Sequence, residues 1–229
     1  MSFNLTSLIP GVGHEYSHVA TNAIVTAGIV GAGLMAKNAL KKQGTSSITP
    51  DGKLSIKGIF ELITEFIQGL VDMVIGEHGR KYTPMFAAIF TFVFVNNIIG
   101  VLPGMTPATE QLNTTLAMGT FMFLVYNYLG FKENGFAYIK HFFGPVWYLA
   151  WLMVVIELIS HIVRPISLGL RLANVLKGDH TVVGIFTDLV PVIVPIPFYL
   201  MGMFVCFVQA FVFTLLSMVY ISLATAHDH

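Results

Sequence analysis

Apolar residues run along this chain in long blocks, and polar residues fall mainly between them. Three uncharged blocks, residues 19–36, 84–103 and 112–131, match the roughly 18 to 20 residues that cross a bilayer as a helix. Two longer apolar stretches follow at 145–176 and 190–226. Residues 56–75 carry a different pattern. Ile59, Leu62, Ile63, Phe66, Ile67, Leu70 and Val74 recur at helical spacing, while Lys57, Glu61, Glu65, Gln68 and Asp72 occupy the other face. That alternation predicts an amphipathic helix lying along the membrane surface, bounded at about 56–78. The fold expected is all-α and membrane-embedded, with about five membrane helices and one interfacial helix. Residues 1–18 form a short external segment. Residues 19–229 form a single membrane domain, and 145–226 its long tilted hairpin.

Composition agrees with this reading. Only 10% of the 229 residues are charged, against about 25% in soluble domains. Twelve cationic and twelve anionic residues cancel, which excludes a broadly basic nucleic-acid surface. Lys37, Lys41, Lys42, Lys53, Lys57, Arg80, Lys81, Lys132 and Lys140 lie in two of the connecting regions and beside the ends of the blocks, whereas residues 1–20 and 103–112 contain no Lys or Arg. The positive-inside rule therefore places the N-terminus outside and, after five crossings, the C-terminus in the cytoplasm. Cys206 stands alone and reads as an apolar filler. Ala23, Ala27 and Gly31 form a small-residue row suited to close helix contact.

The block 145–176 would be about 48 Å long as a straight helix, more than the roughly 30 Å hydrocarbon layer. It must tilt or bend, and Pro165 favours a bend. Glu157, His161, Arg164 and Arg171 stand at offsets of 0, 4, 7 and 14, so they share one stripe. Ser160, Ser167 and Asn174 follow on a neighbouring line. A charge at the bilayer centre costs about 2.5 to 3.5 kcal/mol on insertion scales. Such a stripe predicts a wet cavity or a partner's carboxylate. Arg164 can snorkel to headgroups, whereas Arg171 has apolar neighbours for two turns before it.

The run from Ser160 to Leu172, SHIVRPISLGLRL, resembles the signature of subunit a of the F-type ATP synthase membrane sector. The run from Gln209 to Ser222, QAFVFTLLSMVYIS, resembles that family's last helix, and residues 97–103 and 113–117 resemble its second and third. This resemblance implies a proton-conducting stator beside a ring of c subunits, in contact with the b subunit of the peripheral stalk and the remainder of the synthase. It implies a bacterial inner membrane, two offset half-channels, no cofactor, no metal and no bond chemistry in this chain. By position, Arg171 corresponds to the family's essential arginine, Glu157 to its helix acid and Gln209 to the glutamine facing the arginine. His180 takes a place on the external proton path. Asn174 comes three residues after the arginine, where the family usually has Asn four after. Gly202 stands where some relatives carry His or Glu, and Asp179 with His180 can supply that chemistry. The outer inlet is expected to use His180, Asp179 and Glu157, helped by Glu110, Gln111 and Asn113. His161 is either part of the path or a hydrogen-bonded core residue. The coupling ion is H⁺ or Na⁺.

Two other classes fit less well. His14, Glu15 and His18 match a zinc-protease spacing, but the Pro50-Asp51-Gly52 segment that would complete the site is expected on the opposite membrane face. A voltage sensor repeats Arg at short spacing, and the block 145–176 has only two, seven apart.

Overall fold

The computed structural model describes residues 17–43, 56–101, 107–135, 150–189 and 195–225, and every regular element among them is helical. The helices are α1 (Ser17–Gln43), α2 (Ile56–Val74), α3 (Thr83–Val101), α4 (Leu112–Asn134), α5 (Ala150–Leu189) and α6 (Pro195–Thr225), with 3-10 turns at Glu77–Tyr82 and Ala108–Glu110. The chain is an all-α integral membrane protein. Four stretches, Val19–Asn38, Glu77–Val101, Trp151–Thr187 and Pro195–Thr225, are long and apolar enough to cross a membrane. The 23-residue α4 is about 34 Å long, enough to cross as well. Thr114, Thr115, Thr120 and Asn127 make it more polar than the others, and Thr115 is fully buried.

The amphipathic segment folds as expected but stops earlier than residue 78. Gly76 has φ 85°, a backbone region that side chains other than hydrogen disfavour, and its amide closes α2 on the carbonyl of Val71 at 3.1 Å. Ile67 and Val71 face the core, while Met73 is 82% exposed. Lys57 is only 2% exposed and pairs with Glu61 at 3.5 Å. Asp72 receives two bonds from Arg80, at 2.8 and 3.0 Å. These hold the Asp72 carboxyl below its ordinary pKa.

The core is a continuous apolar cluster in which Phe86, Val93, Met122, Leu172, Phe213, Met218 and Ile221 are fully buried. Phe66, Phe90, Phe94, Phe207 and Phe211 add a stack of rings between α2, α3 and α6, with centroids 5.6 to 6.5 Å apart. The most extensive helix contact is between α4 and α5, and its backbones nearly touch. A Cβ at Gly119 would sit 2.4 Å from the Pro165 carbonyl oxygen, and one at Gly169 would sit 2.8 Å from that of Thr115. Only hydrogen fits at these crossings.

The largest departure from the sequence reading is α5. The sequence reading bounded its apolar block at residue 176. Instead the helix continues through Lys177, Gly178, Asp179 and His180 to Leu189, 40 residues in all and about 60 Å. A few polar residues do not break a helix when they have wet or hydrogen-bonded places to go, and here Lys177 lines a cavity and His180 is hydrogen-bonded. Thr181 and Thr187 also turn back to bond the carbonyls four residues earlier, at 2.8 and 2.7 Å. Such a length requires strong tilt in any bilayer. Residues 136–149, including the start of the expected hairpin at 145, lie outside the described residues.

The helix ends define two poles. At one, Lys81 and Tyr82 bond Glu133, Asn134 bonds the carbonyl of Ala224 at 3.0 Å, and Ser222 bonds that of Val74 at 3.2 Å. At the other, the end of α3, the turn 108–110 and the second half of α5 meet. Antiparallel α3, α4, α5 and α6 thus each run from one pole toward the other.

Candidate functional site

Leu168, Leu172, Ala173, Leu176 and Val183 form the buried row of α5. Arg171 is off that row and exposed, beside exposed Leu170, Asn174 and Val175. The expected stripe is about 80° wide on a helix, so it straddles the edge of the α4 and α6 contact. His161 falls inside that edge at 7% exposure, Glu157 and Arg164 sit on it, and Arg171 lies outside it. Among the described residues no carboxylate pairs with Arg171. Gln209 occupies the buried row of α6, 5% exposed, and no hydrogen bond joins it to Arg171 among the described residues.

Nine residues beyond Arg171, His180 meets the far pole. Its Nε2 bonds the carbonyl of Gly100, and its Nδ1 lies 3.3 Å from Glu110 Oε2. A carbonyl only accepts, so Nε2 carries a proton. The second contact then needs one proton shared between Nδ1 and the carboxyl group, giving either imidazolium with carboxylate or imidazole with carboxylic acid. Beside this pair lies a cavity of about 300 Å³ lined by Glu110, Gln111, Asn113, Asn174 and Lys177. The structure therefore gathers Glu110, Gln111, Asn113 and Asn174 around one space, with Leu112 and Ala173 also in its wall, and His180 touches it through Glu110.

Asp179 points the other way, onto α6. A Cβ at Gly202 would lie 2.6 Å from Asp179 Oδ2. The carboxylate fills the room that a side chain at 202 would take.

Glu157 does not join this cluster. It is 23 residues from His180, about 34 Å along the helix, with Arg171 between them. Its partner is Arg164, at 3.3 Å, whose guanidinium lies 5.7 Å over the Tyr220 ring. Arg164 is thus half-buried and paired rather than free to reach headgroups. His161 is buried and hydrogen-bonded. Its Nε2 is 2.8 Å from Asn127 Oδ1, and Tyr126 Oη lies 3.3 Å from the ring nitrogens. Pro165 cannot donate to the His161 carbonyl, and Tyr126 Oη approaches that oxygen at 3.5 Å.

Sequence reasoning gave no role to the residues that hold the site. Asn97, fully buried, donates to the Cys206 carbonyl at 3.4 Å and accepts from Thr109 at 2.9 Å, fixing the turn that carries Glu110. Gly100 offers His180 its carbonyl and is packed on the Pro107 ring. The available signal was an asparagine pair, Asn96 and Asn97, inside an apolar block. His14, Glu15 and residues 50–52 of the metal alternative lie outside the described residues.

A family model described as ATP synthase A chain matches residues 19–222. ATP synthase subunit a of Bdellovibrio bacteriovorus is 64% identical over 230 residues, covering 100% of both chains. ATP synthase subunit a 2 of Syntrophotalea carbinolica is 41% identical across 93% of this chain and 88% of its own. ATP synthase subunit a of Trichlorobacter lovleyi is 40% identical across 92% and 91%. With this coverage, and an apolar helical body to match, the chain belongs to the ATP synthase subunit a family.

Proposed function

We propose that the chain is the proton-conducting stator of an F-type ATP synthase. Two offset half-channels load and unload the carboxylates of a c-ring and so couple proton motive force to rotation and ATP synthesis. The observation that carries this reading is the placement of Arg171 on a helix of about 60 Å, exposed and, among the described residues, without a carboxylate of its own. One polar cluster lies beyond it and another before it. The exposed apolar surface around Arg171, including Val163, Ile166, Leu170 and Val175, is the face offered to the ring.

In the outer half-channel, a proton reaches the cavity and is passed between Glu110 and His180. Asp179 extends the path toward α6, with Gln111, Asn113 and Asn174 holding water. The inner half-channel runs past Glu157, on the other side of Arg171. His161 and Gln209 support the path from buried positions. A ring acid that approaches Arg171 is drawn to ionise, because a guanidinium stays charged at any relevant pH and favours a nearby carboxylate in its ionised form. The same charge bars a proton from leaking straight between the half-channels. Each charge moved through 100 mV releases about 2.3 kcal/mol, and the rest of the complex turns several such steps into one ATP.

In this reading residues 19–229 form one membrane domain in a bacterial inner membrane, with the N-terminus outside and the C-terminus cytoplasmic. The b subunit and the c-ring are its neighbours. No bond is made or broken in this chain. Arg171→Ala is expected to abolish proton-driven ATP synthesis in reconstituted vesicles while the complex still assembles. Normal synthesis by that variant refutes the assignment.

A further inference from the structure

The cavity beside His180 contains one group for which the proton path has no use. Glu110, Gln111, Asn113 and Asn174 line it with a carboxylate and three amides, alongside Leu112 and Ala173, and such oxygen ligands suit hard metal cations. Lys177 lines the same space. Its direction is set by the helix. Leu172, Leu176 and Val183 are buried on the core side, and Asn174 and Lys177, three apart, share the face that looks into the cavity. Lys57, Arg80, Lys81 and Arg164 each pair with a carboxylate. Among the described residues Lys177 pairs with none. Glu110, the acid in the lining, is engaged by His180.

We propose that Lys177 is a specificity-determining residue, an ammonium that keeps Na⁺ and other metal cations out of an otherwise hospitable oxygen-lined inlet. The inference rests on the outer half-channel described above. A metal ion has to lodge bodily among the oxygens and meets the ammonium there. A proton passes by transfer along hydrogen bonds, and the charge it places on His180 is balanced by Glu110. Two unit charges about 6 Å apart, at an effective dielectric constant of about 20, repel enough to lower cation occupancy roughly 100-fold. Without Lys177 the inlet holds a metal ion that blocks the water chain.

The test uses the whole synthase reconstituted in vesicles, with ATP synthesis driven by an imposed proton gradient. The readout is the ratio of rates in sodium chloride and in choline chloride at equal ionic strength, so that general screening cancels. For the unaltered protein the ratio is expected to be close to one. For Lys177→Gln it falls, and the Na⁺ concentration giving half-inhibition drops roughly 100-fold. Lys177→Met, which keeps the length of the stem, behaves like Lys177→Gln and stands in for it if glutamine disturbs assembly. Lys177→Arg restores insensitivity to Na⁺. A ratio near one in both uncharged variants overturns the proposal, and so does a ratio for Lys177→Arg as low as theirs. Failure of the underlying path gives a different result: His180→Ala then conducts as fast as the unaltered protein in choline chloride.

Discussion

Gly119 joins helix packing to function, and Gly119→Ala tests that link. A methyl group there would stand 2.4 Å from the Pro165 carbonyl oxygen and 3.3 Å from its carbonyl carbon. The obstacle is backbone, so no rotamer change relieves it. Reaching ordinary contact requires α4 and α5 to part by about 1 Å. Overpacking of this kind costs about 1 to 3 kcal/mol, and the rigid partner puts it toward the upper end. The better helix propensity of alanine returns about 1 kcal/mol, leaving a net loss of about 1 to 2 kcal/mol. Function is expected to suffer more. Arg171 is six residues from Pro165 on the same helix, and an error of about 1 Å in placing a reacting group can cost about 100-fold. The assay compares subunit level in the membrane, detergent melting temperature and proton-driven ATP synthesis for Gly119→Ala and Thr120→Ala. Thr120 is exposed and bonds only its own helix, so its variant serves as the control. Full synthesis and an unchanged melting temperature in Gly119→Ala would refute the claim that backbone contact at this crossing sets the position of Arg171.

Gly202→Ala is expected to turn the Asp179 carboxylate aside, since the new methyl group would lie 2.6 Å from Oδ2. A flexible side chain yields easily, so melting changes little while proton-driven synthesis slows; an unchanged rate removes Asp179 from the path. Asp72 carries a pH prediction. Because Arg80 holds its pKa below the ordinary value, its contribution to stability is present above the unfolded carboxylate pKa of about 3.9 and is lost as pH falls through the folded value. The difference in melting temperature between the unaltered protein and Asp72→Asn should therefore shrink as the pH is lowered below about 4. A difference that stays constant across that range counts against the ion pair.

The one-dimensional pattern of this chain was enough to read an all-α membrane body, an amphipathic helix beginning near Ile56 and an arginine that neither topology nor solubility explains. These properties follow from the cost of moving each side chain from water into lipid, which depends on the residue and its immediate neighbours. Tertiary structure alone decided the rest. It carried α5 straight through Lys177 and His180, because Glu110 and Gly100 gave His180 partners 70 and 80 residues away in sequence. It set Glu157 against Arg164, on the opposite side of Arg171 from the cavity, and it satisfied His161 with Tyr126 and Asn127. It also laid Asp179 on Gly202. Hydropathy has no access to such pairings. They depend on the register between helices, and that register is set by the few crossings, Gly119 on Pro165 and Gly169 on Thr115, where two backbones come close enough that only hydrogen fits between them.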